Sequence, residues 1–244
     1  MNNGYRTSQY QIHALHGFLG NPGDWSLYED ENDNFHAYHL FKDFAIQPFE
    51  GWAKEFNQMI LSHEKKSAEH ILLGYSLGGR LGLHALLQKQ ENWKAAILVS
   101  THPGLDTIEE KQKRMFMDDF WAHRFRNDPW ELLMKDWNNQ SVFKDSVDFN
   151  RKESDNDRIA LSEAIKTWSL GRQRNLNEDI AALKMPICWI VGENDKKFLA
   201  QVNKLKFKHP KSHVCIVLQS GHRVLLDQPK KLLLNISKFI NDLE

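Results

Sequence analysis

Two cysteines in 244 residues, Cys188 and Cys215, are too few for a disulfide framework. Both lie inside apolar runs, where small buried thiols are common, so neither a disulfide nor a zinc site is expected. Charge of one sign is also missing: 32 Lys and Arg balance 32 Asp and Glu, and the sequence pI is about 7.2. That balance excludes the basic surplus that nucleic-acid binding draws on. No apolar run approaches the roughly 20 residues needed to span a bilayer, and the mean hydropathy is −0.58. Residues 1–9 are polar and lack the apolar core of a secretion signal. No internal repeat or low-complexity linker occurs. What remains is a cytoplasmic domain with no membrane, nucleic-acid or metal partner, as a monomer or small homo-oligomer.

What is present is a rhythm. Short apolar runs recur at Tyr10–Leu15, Phe35–Leu40, His70–Leu73, Ala95–Val99, Ile187–Val191 and His213–Leu218. Their length and apolar density predict strands buried on both faces. Helical stretches fall between them at Gly51–His63, Leu77–Gln90, Phe198–Lys208 and Pro229–Leu243. Alternating strands and helices predict right-handed crossovers and a mostly parallel sheet, an α/β fold.

The middle departs from that pattern. Between Asp106 and Ala182 the sequence is charged, tryptophan-containing and free of strand-like runs. It predicts helices over Thr107–Arg126, Pro129–Trp137 and Asp157–Leu170, before Lys184-Met185-Pro186 returns the chain to a strand. We expect a core of residues 1–105 and 183–244, with a helical lid of residues 106–182. Such an insertion lies over the carboxyl edge of the sheet, where α/β proteins bind ligands.

Gly74-Tyr75-Ser76-Leu77-Gly78-Gly79 follows one predicted strand and opens a helix. This is G-x-S-x-G in the setting its mechanics need, a sharp strand-to-helix turn that exposes the serine oxygen. A serine needs a base, and the base a partner that fixes its tautomer. Downstream strands end in Gly192-Glu193-Asn194-Asp195 and in Ser220-Gly221-His222, giving the order Ser, acid, His. Asp195 is the candidate acid, with Glu193 its rival, and His222 is the candidate base among twelve histidines. After the first strand, His16-Gly17-Phe18-Leu19-Gly20 forms a turn whose Phe18 amide, with that of Leu77, can serve as an oxyanion hole. His16 itself reads as part of the turn.

These four parts resemble the α/β-hydrolase superfamily along nearly the whole chain. A closer resemblance is to the 2-succinyl-6-hydroxy-2,4-cyclohexadiene-1-carboxylate synthases of menaquinone biosynthesis. It is carried by His16–Gly20 with Asp24-Trp25, by Gly74–Arg80, and by His102-Pro103-Gly104-Leu105. Arg114–Asp118 with Trp121-Ala122, Ser169–Gln173, the segment around Trp137, and Gly192–Phe198 match as well. The resemblance implies an α/β-hydrolase fold with a helical lid and a lyase that eliminates pyruvate from a polycarboxylated cyclohexene without an external cofactor. It further implies Tyr75, Arg80, Arg114, Trp137 and Lys197 as substrate-binding residues. Arg124, on the same predicted helix as Arg114, ranks below it.

Two departures accompany the resemblance. The Asp-x-Pro-Gly-x-Gly-x-Ser turn of many relatives is replaced by His39–Ala45, and the first buried strand starts about ten residues into the chain, so a sheet reduced at the N-terminus is expected. Ser76 as a true nucleophile, in a hydrolase of carboxylesters, thioesters or carbon–carbon bonds, is the alternative reading. A ligand-binding receptor on the same scaffold is a third. Seven of the ten arginines and four of the eight tryptophans fall in the lid. Most such arginines are ordinarily solvated partners of neighbouring acids; otherwise they can face a small polycarboxylate.

Overall fold

The computed structural model describes residues 10–29, 34–63 and 69–243, so the reading of the polar N-terminus lies outside the described residues. In chain order the elements are β1 (Tyr10–Leu15), α1 (Ser26–Glu29), β2 (Phe35–Tyr38), α2 (Phe49–His63), β3 (Glu69–Tyr75), α3 (Leu77–Gln88) and β4 (Trp93–Val99). A helical stretch follows: α4 (Ile108–Asn127), α5 (Trp130–Asn138), α6 (Arg158–Thr167) and α7 (Asn177–Ala182). The chain then returns through β5 (Ile187–Gly192), α8 (Lys196–Val202), β6 (His213–Val217), α9 (Val224–Asp227) and α10 (Pro229–Asn241).

Six strands pair in the order β2-β1-β3-β4-β5-β6, every neighbour parallel. Alternate side chains leave the sheet on opposite faces. Leu72, Ala96, Leu98, Trp189 and Val191 pack with α2, α3 and α8. Ile12, Ile71, Leu73, Ile97 and Ile190 pack with α9 and α10. Because all strands run one way, every β-to-α loop opens at a single edge, and those loops carry the candidate site.

The outer strands differ from expectation. The sequence predicts burial on both faces for all six, yet β6 exposes His213, Val214 and Ile216, and β2 is only half-buried beyond Phe35. Among the described residues both are sheet edges, flanked by one strand rather than two.

The helical stretch has its own core of Trp121, Phe125, Trp130, Leu133, Trp137 and Leu161, closed from below by Leu19. Its helices start where capping side chains start them. Glu110 N–H donates to Thr107 Oγ1 at 3.1 Å while Thr107 N–H donates to Glu110 Oε2 at 3.0 Å, a reciprocal box at the head of α4. Asp157 Oδ1 caps α6 by accepting from Ile159 N and Ala160 N. Two predicted helices end three or more residues early. α6 stops at Thr167, where Trp168 leaves helical geometry and its carbonyl accepts from Arg80. α8 stops at Val202, and Leu205 and Phe207 beyond it reach the core at a spacing of two, as extended chain does.

Candidate active site

β3 delivers Ser76 into the site with strain. Its φ of 50° and ψ of −108° lie outside the ordinary region for a residue with a Cβ, at a cost of about 1–3 kcal/mol. The turn is held by Ser76 N–H donating to Val99 O at 2.9 Å and by Arg80 N–H donating to Ser76 O. Glycine is required on both flanks: a Cβ on Gly74 would sit 2.5 Å from Gly79 Cα, and one on Gly78 would strike the Leu15 and His16 carbonyls.

Ser76, His222 and Asp195 form one hydrogen-bonded chain. His222 Nδ1 donates to Asp195 Oδ2 at 2.7 Å, which leaves Nε2 as the acceptor facing Ser76 Oγ at 3.1 Å. Asp195 also caps α8 through Phe198 N–H and is buried. Glu193 is exposed and accepts from Gln219 N–H instead, away from His222. The His222 ring is wedged among Phe198, Phe143 and Tyr75, with centroids 4.5, 5.7 and 5.9 Å away. Its loop is fastened by Asp227, which accepts from Gly221 N–H at 2.8 Å and from Ser146 Oγ and Val147 N–H.

Phe18 and Leu77 both line the space in front of Ser76. Leu77 is the first residue of α3, so its N–H has no acceptor within the helix. Phe18 sits in the turn after β1, closed by Gly20 N–H donating to Gly17 O at 3.0 Å. His16 is fully buried beneath that turn: Nδ1 donates to Gly17 O at 2.7 Å, and Nε2 accepts from Leu40 N–H at 3.1 Å. Burial holds its pKa at about 3, so it stays a neutral brace between two loops.

The cavity over Ser76 has a volume of about 270 Å³. One wall is aromatic, with Phe18, Trp121 and Phe143 each in ring contact with Trp137. The other is cationic, with Arg80, Arg114 and Lys197 facing one buried carboxylate, Asp118. Arg114 Nε contacts both Asp118 oxygens at 2.8 Å. Arg80 is buried and spends two donors, on Gln173 Oε1 at 2.7 Å and on Trp168 O at 2.8 Å. Burial, then the charge of Arg114, push the Arg80 pKa down to about 9. Desolvation and Arg114 likewise lower Lys197. An anion in the cavity would offset the burial of Arg80 and Lys197 and the repulsion each feels from Arg114.

All the sequence-predicted site residues therefore meet here. Nine line the cavity, and Asp195 stands behind His222. Of the two readings of the arginines in residues 106–182, pairing with acids holds for most, and they do not gather above Ser76. Only Arg114 of the seven lines the cavity. Arg124 pairs with Asp128 and Asp136, Arg126 lies near Glu163, and Arg151 pairs with Asp24. Arg158 pairs with Glu153 and Arg174 with Asp179, while Arg172 points to solvent.

Sequence reasoning missed three supports. Gln173, read only as part of a family likeness, orients Arg80. Arg223, fully buried, donates to Asn138 Oδ1 at 2.6 Å and Val147 O at 2.9 Å and lies over the Phe143 ring, fixing the loop next to His222. His102 lines the cavity with Nδ1 accepting from Gly104 N–H, and burial holds its pKa at about 3. The signals for Gln173 and Arg223 were contacts 93 and 85 residues away, which no local pattern carries.

Comparison with known proteins settles the family. Residues 14–234 match the model of the alpha/beta hydrolase family. The chain belongs to that family. Among its relatives, a 2-succinyl-6-hydroxy-2,4-cyclohexadiene-1-carboxylate synthase of Klebsiella pneumoniae is 29% identical over 244 residues, covering 93% of this chain and 92% of its own. A Haemophilus influenzae protein, provisionally assigned the same name, is 32% identical over 208 residues, covering 78% and 84%. Among solved structures, MenH from S. aureus superposes with a TM-score of 0.85 at 20% identity, covering 99% of this chain and 97% of its own. A thermophilic esterase from Thermogutta terrifontis follows the same fold at a TM-score of 0.70 and 16% identity, covering 96% and 90%.

Proposed function

We propose that this protein is a lyase of menaquinone biosynthesis. It eliminates pyruvate from a polycarboxylated cyclohexene to give 2-succinyl-6-hydroxy-2,4-cyclohexadiene-1-carboxylate. The observation that carries this reading is the two-sided cavity over Ser76. Its three cations suit carboxylates, and its aromatic wall suits a ring. The synthase relatives, matched across most of the chain, support the same reaction.

In this reading His222 takes the Ser76 hydroxyl proton, and the serine oxygen removes a proton from the ring. The electron pair of the broken C–H bond forms a ring double bond, and the ring C–O bond breaks. The enolate of pyruvate leaves with the C–O pair and takes the proton held by the His222 imidazolium to become pyruvate. Asp195 stabilises the imidazolium and keeps the tautomer that faces Ser76. The Phe18 and Leu77 amides stabilise the developing anion. Arg80, Arg114 and Lys197 hold carboxylates, while Tyr75 and Trp137 flank the ring, so that the reacting C–H meets Ser76 Oγ. Residues 106–182 act as a lid on a core of residues 1–105 and 183–244. The enzyme works in the cytoplasm on a small molecule, without an external cofactor, as a monomer or small homo-oligomer.

The test is incubation with the cyclohexene precursor, following pyruvate against its spontaneous release. Ser76→Ala should lower the catalysed rate by several orders of magnitude, and a near-native rate in that variant would remove serine as the base. One observation favours a second reading: a strained serine within 3.1 Å of an imidazole is also poised to be acylated. A burst with a p-nitrophenyl ester and a trapped acyl-Ser76 would establish hydrolysis in place of elimination.

A further inference from the structure

At the opposite end of the two strands that lead to Asp195 and His222, three soft or borderline donors converge. Cys188 Sγ lies 3.8 Å from Cys215 Sγ and 3.8 Å from His213 Nε2, and all three atoms fall within 4.8 Å of one another. The sheet makes this cluster. Cys188 on β5 is in register with His213 on β6, and Cys215, two residues further on, shares the same face. The two thiols of the sequence alone predict no zinc site. The third donor arrives only through strand pairing.

We propose that Cys188, His213 and Cys215 form a site for a thiophilic divalent cation of the zinc type, with its fourth position open to solvent. Three observations favour it. Two thiolates bound tetrahedrally at about 2.3 Å lie about 3.8 Å apart, which is the sulfur separation present. His213 Nδ1 donates to Lys211 O at 3.0 Å, so Nε2 presents its lone pair towards the sulfurs, the outer hydrogen bond that metal-bound imidazoles make. His213 is exposed and Cys215 half-buried, which gives an ion a path in and room for a water ligand.

A disulfide fits less well. The cysteines are diagonal across neighbouring parallel strands, and a strand spacing of about 4.8 Å with two residues of rise puts their Cα atoms about 8 Å apart. That exceeds the roughly 7 Å limit for bridging without backbone movement. A metal spans the gap without moving either strand. Gly192, where the loop bearing Asp195 begins, is the fourth residue after Cys188, about 13 Å along the strand. The ion would tie the edge strand β6 to β5, a structural role that leaves the chemistry at Ser76 untouched.

The test uses the full chain, reduced and freed of metal with a chelator, then titrated with Co²⁺ and with Zn²⁺. We expect one Co²⁺ per chain with thiolate-to-cobalt charge-transfer absorption, displacement by Zn²⁺, and a higher melting temperature with Zn²⁺. Cys215→Ser and His213→Ala should each weaken binding by about tenfold or more and abolish the thermal shift. Metal-free melting and pyruvate release should match the wild type in His213→Ala, whose exposed side chain makes it the variant least prone to misfold. No charge-transfer band in the wild type, equal binding in both variants, or a Cys188–Cys215 disulfide formed in air with Zn²⁺ present would each overturn the proposal.

Discussion

Arg80 Nε donates to Gln173 Oε1 at 2.7 Å, joining the helix behind Ser76 to a loop 93 residues further along the chain. Gln173 in turn donates through Nε2 to His102 O at 3.2 Å, so the amide is fixed at both ends. A neutral acceptor here orients the guanidinium without cancelling its charge. Gln173→Glu would place a carboxylate on Arg80 and fill the demand that a substrate anion meets. We expect KM to rise about tenfold or more in Gln173→Glu, and less in Gln173→Ala. Equal KM values in steady-state pyruvate release would show that charge at this contact does not matter.

The pair formed by His222 and Asp195 fixes a tautomer. Asp195→Asn presents an amide where a carboxylate was, and a donor amide facing Nδ1 turns the imidazole proton to the wrong nitrogen. The turnover number should fall by about 10³–10⁴-fold, with the fold preserved because an amide oxygen can still accept from Phe198 N–H. Single-turnover kinetics and thermal melting separate the two effects.

Arg114 and Lys197 should respond differently to truncation. Arg114 neutralises Asp118, which is buried, so Arg114→Ala leaves an unpaired carboxylate and costs about 1–3 kcal/mol of stability besides raising KM. Lys197 is exposed and has no hydrogen-bond partner among the described residues, so Lys197→Ala should raise KM and leave urea unfolding unchanged. Equal loss of stability in both variants would contradict the assigned pairing.

His16 predicts the direction of a pH effect on stability. Its folded pKa of about 3 lies below the ordinary 6.5 of the unfolded chain, chiefly through burial. Between those values the unfolded state holds a proton that the native state refuses, so stability falls as pH drops from 6.5 towards 3. The slope from this residue is at most about 1.4 kcal/mol per pH unit, and it vanishes above pH 6.5. Protonating Nε2 would also break the bond from Leu40 N–H. Urea unfolding at pH 7.5 and 5.5 should show a shallower pH dependence in His16→Gln than in the wild type.

Gly74 and Gly79 touch across the serine turn. Gly74→Ala should destabilise by about 1–3 kcal/mol and reduce turnover more than its stability loss explains, since Ser76 must shift to make room. Melting temperature and turnover number, measured together, check this.

Much of this was legible in the sequence because the fold places chemistry at strand ends. Apolar runs marked β3, β5 and β6, and the loops that follow them supplied Ser76, Asp195 and His222. The limits of β2 and β6 were not legible, since an edge strand and a central one share the same apolar text and differ only in neighbours. Charge misled for a similar reason. Seven arginines between residues 106 and 182 look like a polyanion site, but six are engaged by acids or solvent, and only Arg114 of them lines the cavity. Gln173 and Arg223 act through partners brought near by tertiary packing, so no spacing rule reaches them.

The all-parallel sheet has a practical side. The return loops at residues 89–92, 183–186 and 208–212 emerge at the edge away from Ser76. A chip, bead or fluorescent label coupled there would leave the mouth of the cavity facing outward. Diversity introduced into those loops would be read out as thermal endurance, while diversity in the loops at the other edge would be read out as turnover. Stability and rate can therefore be screened as separate libraries in this protein.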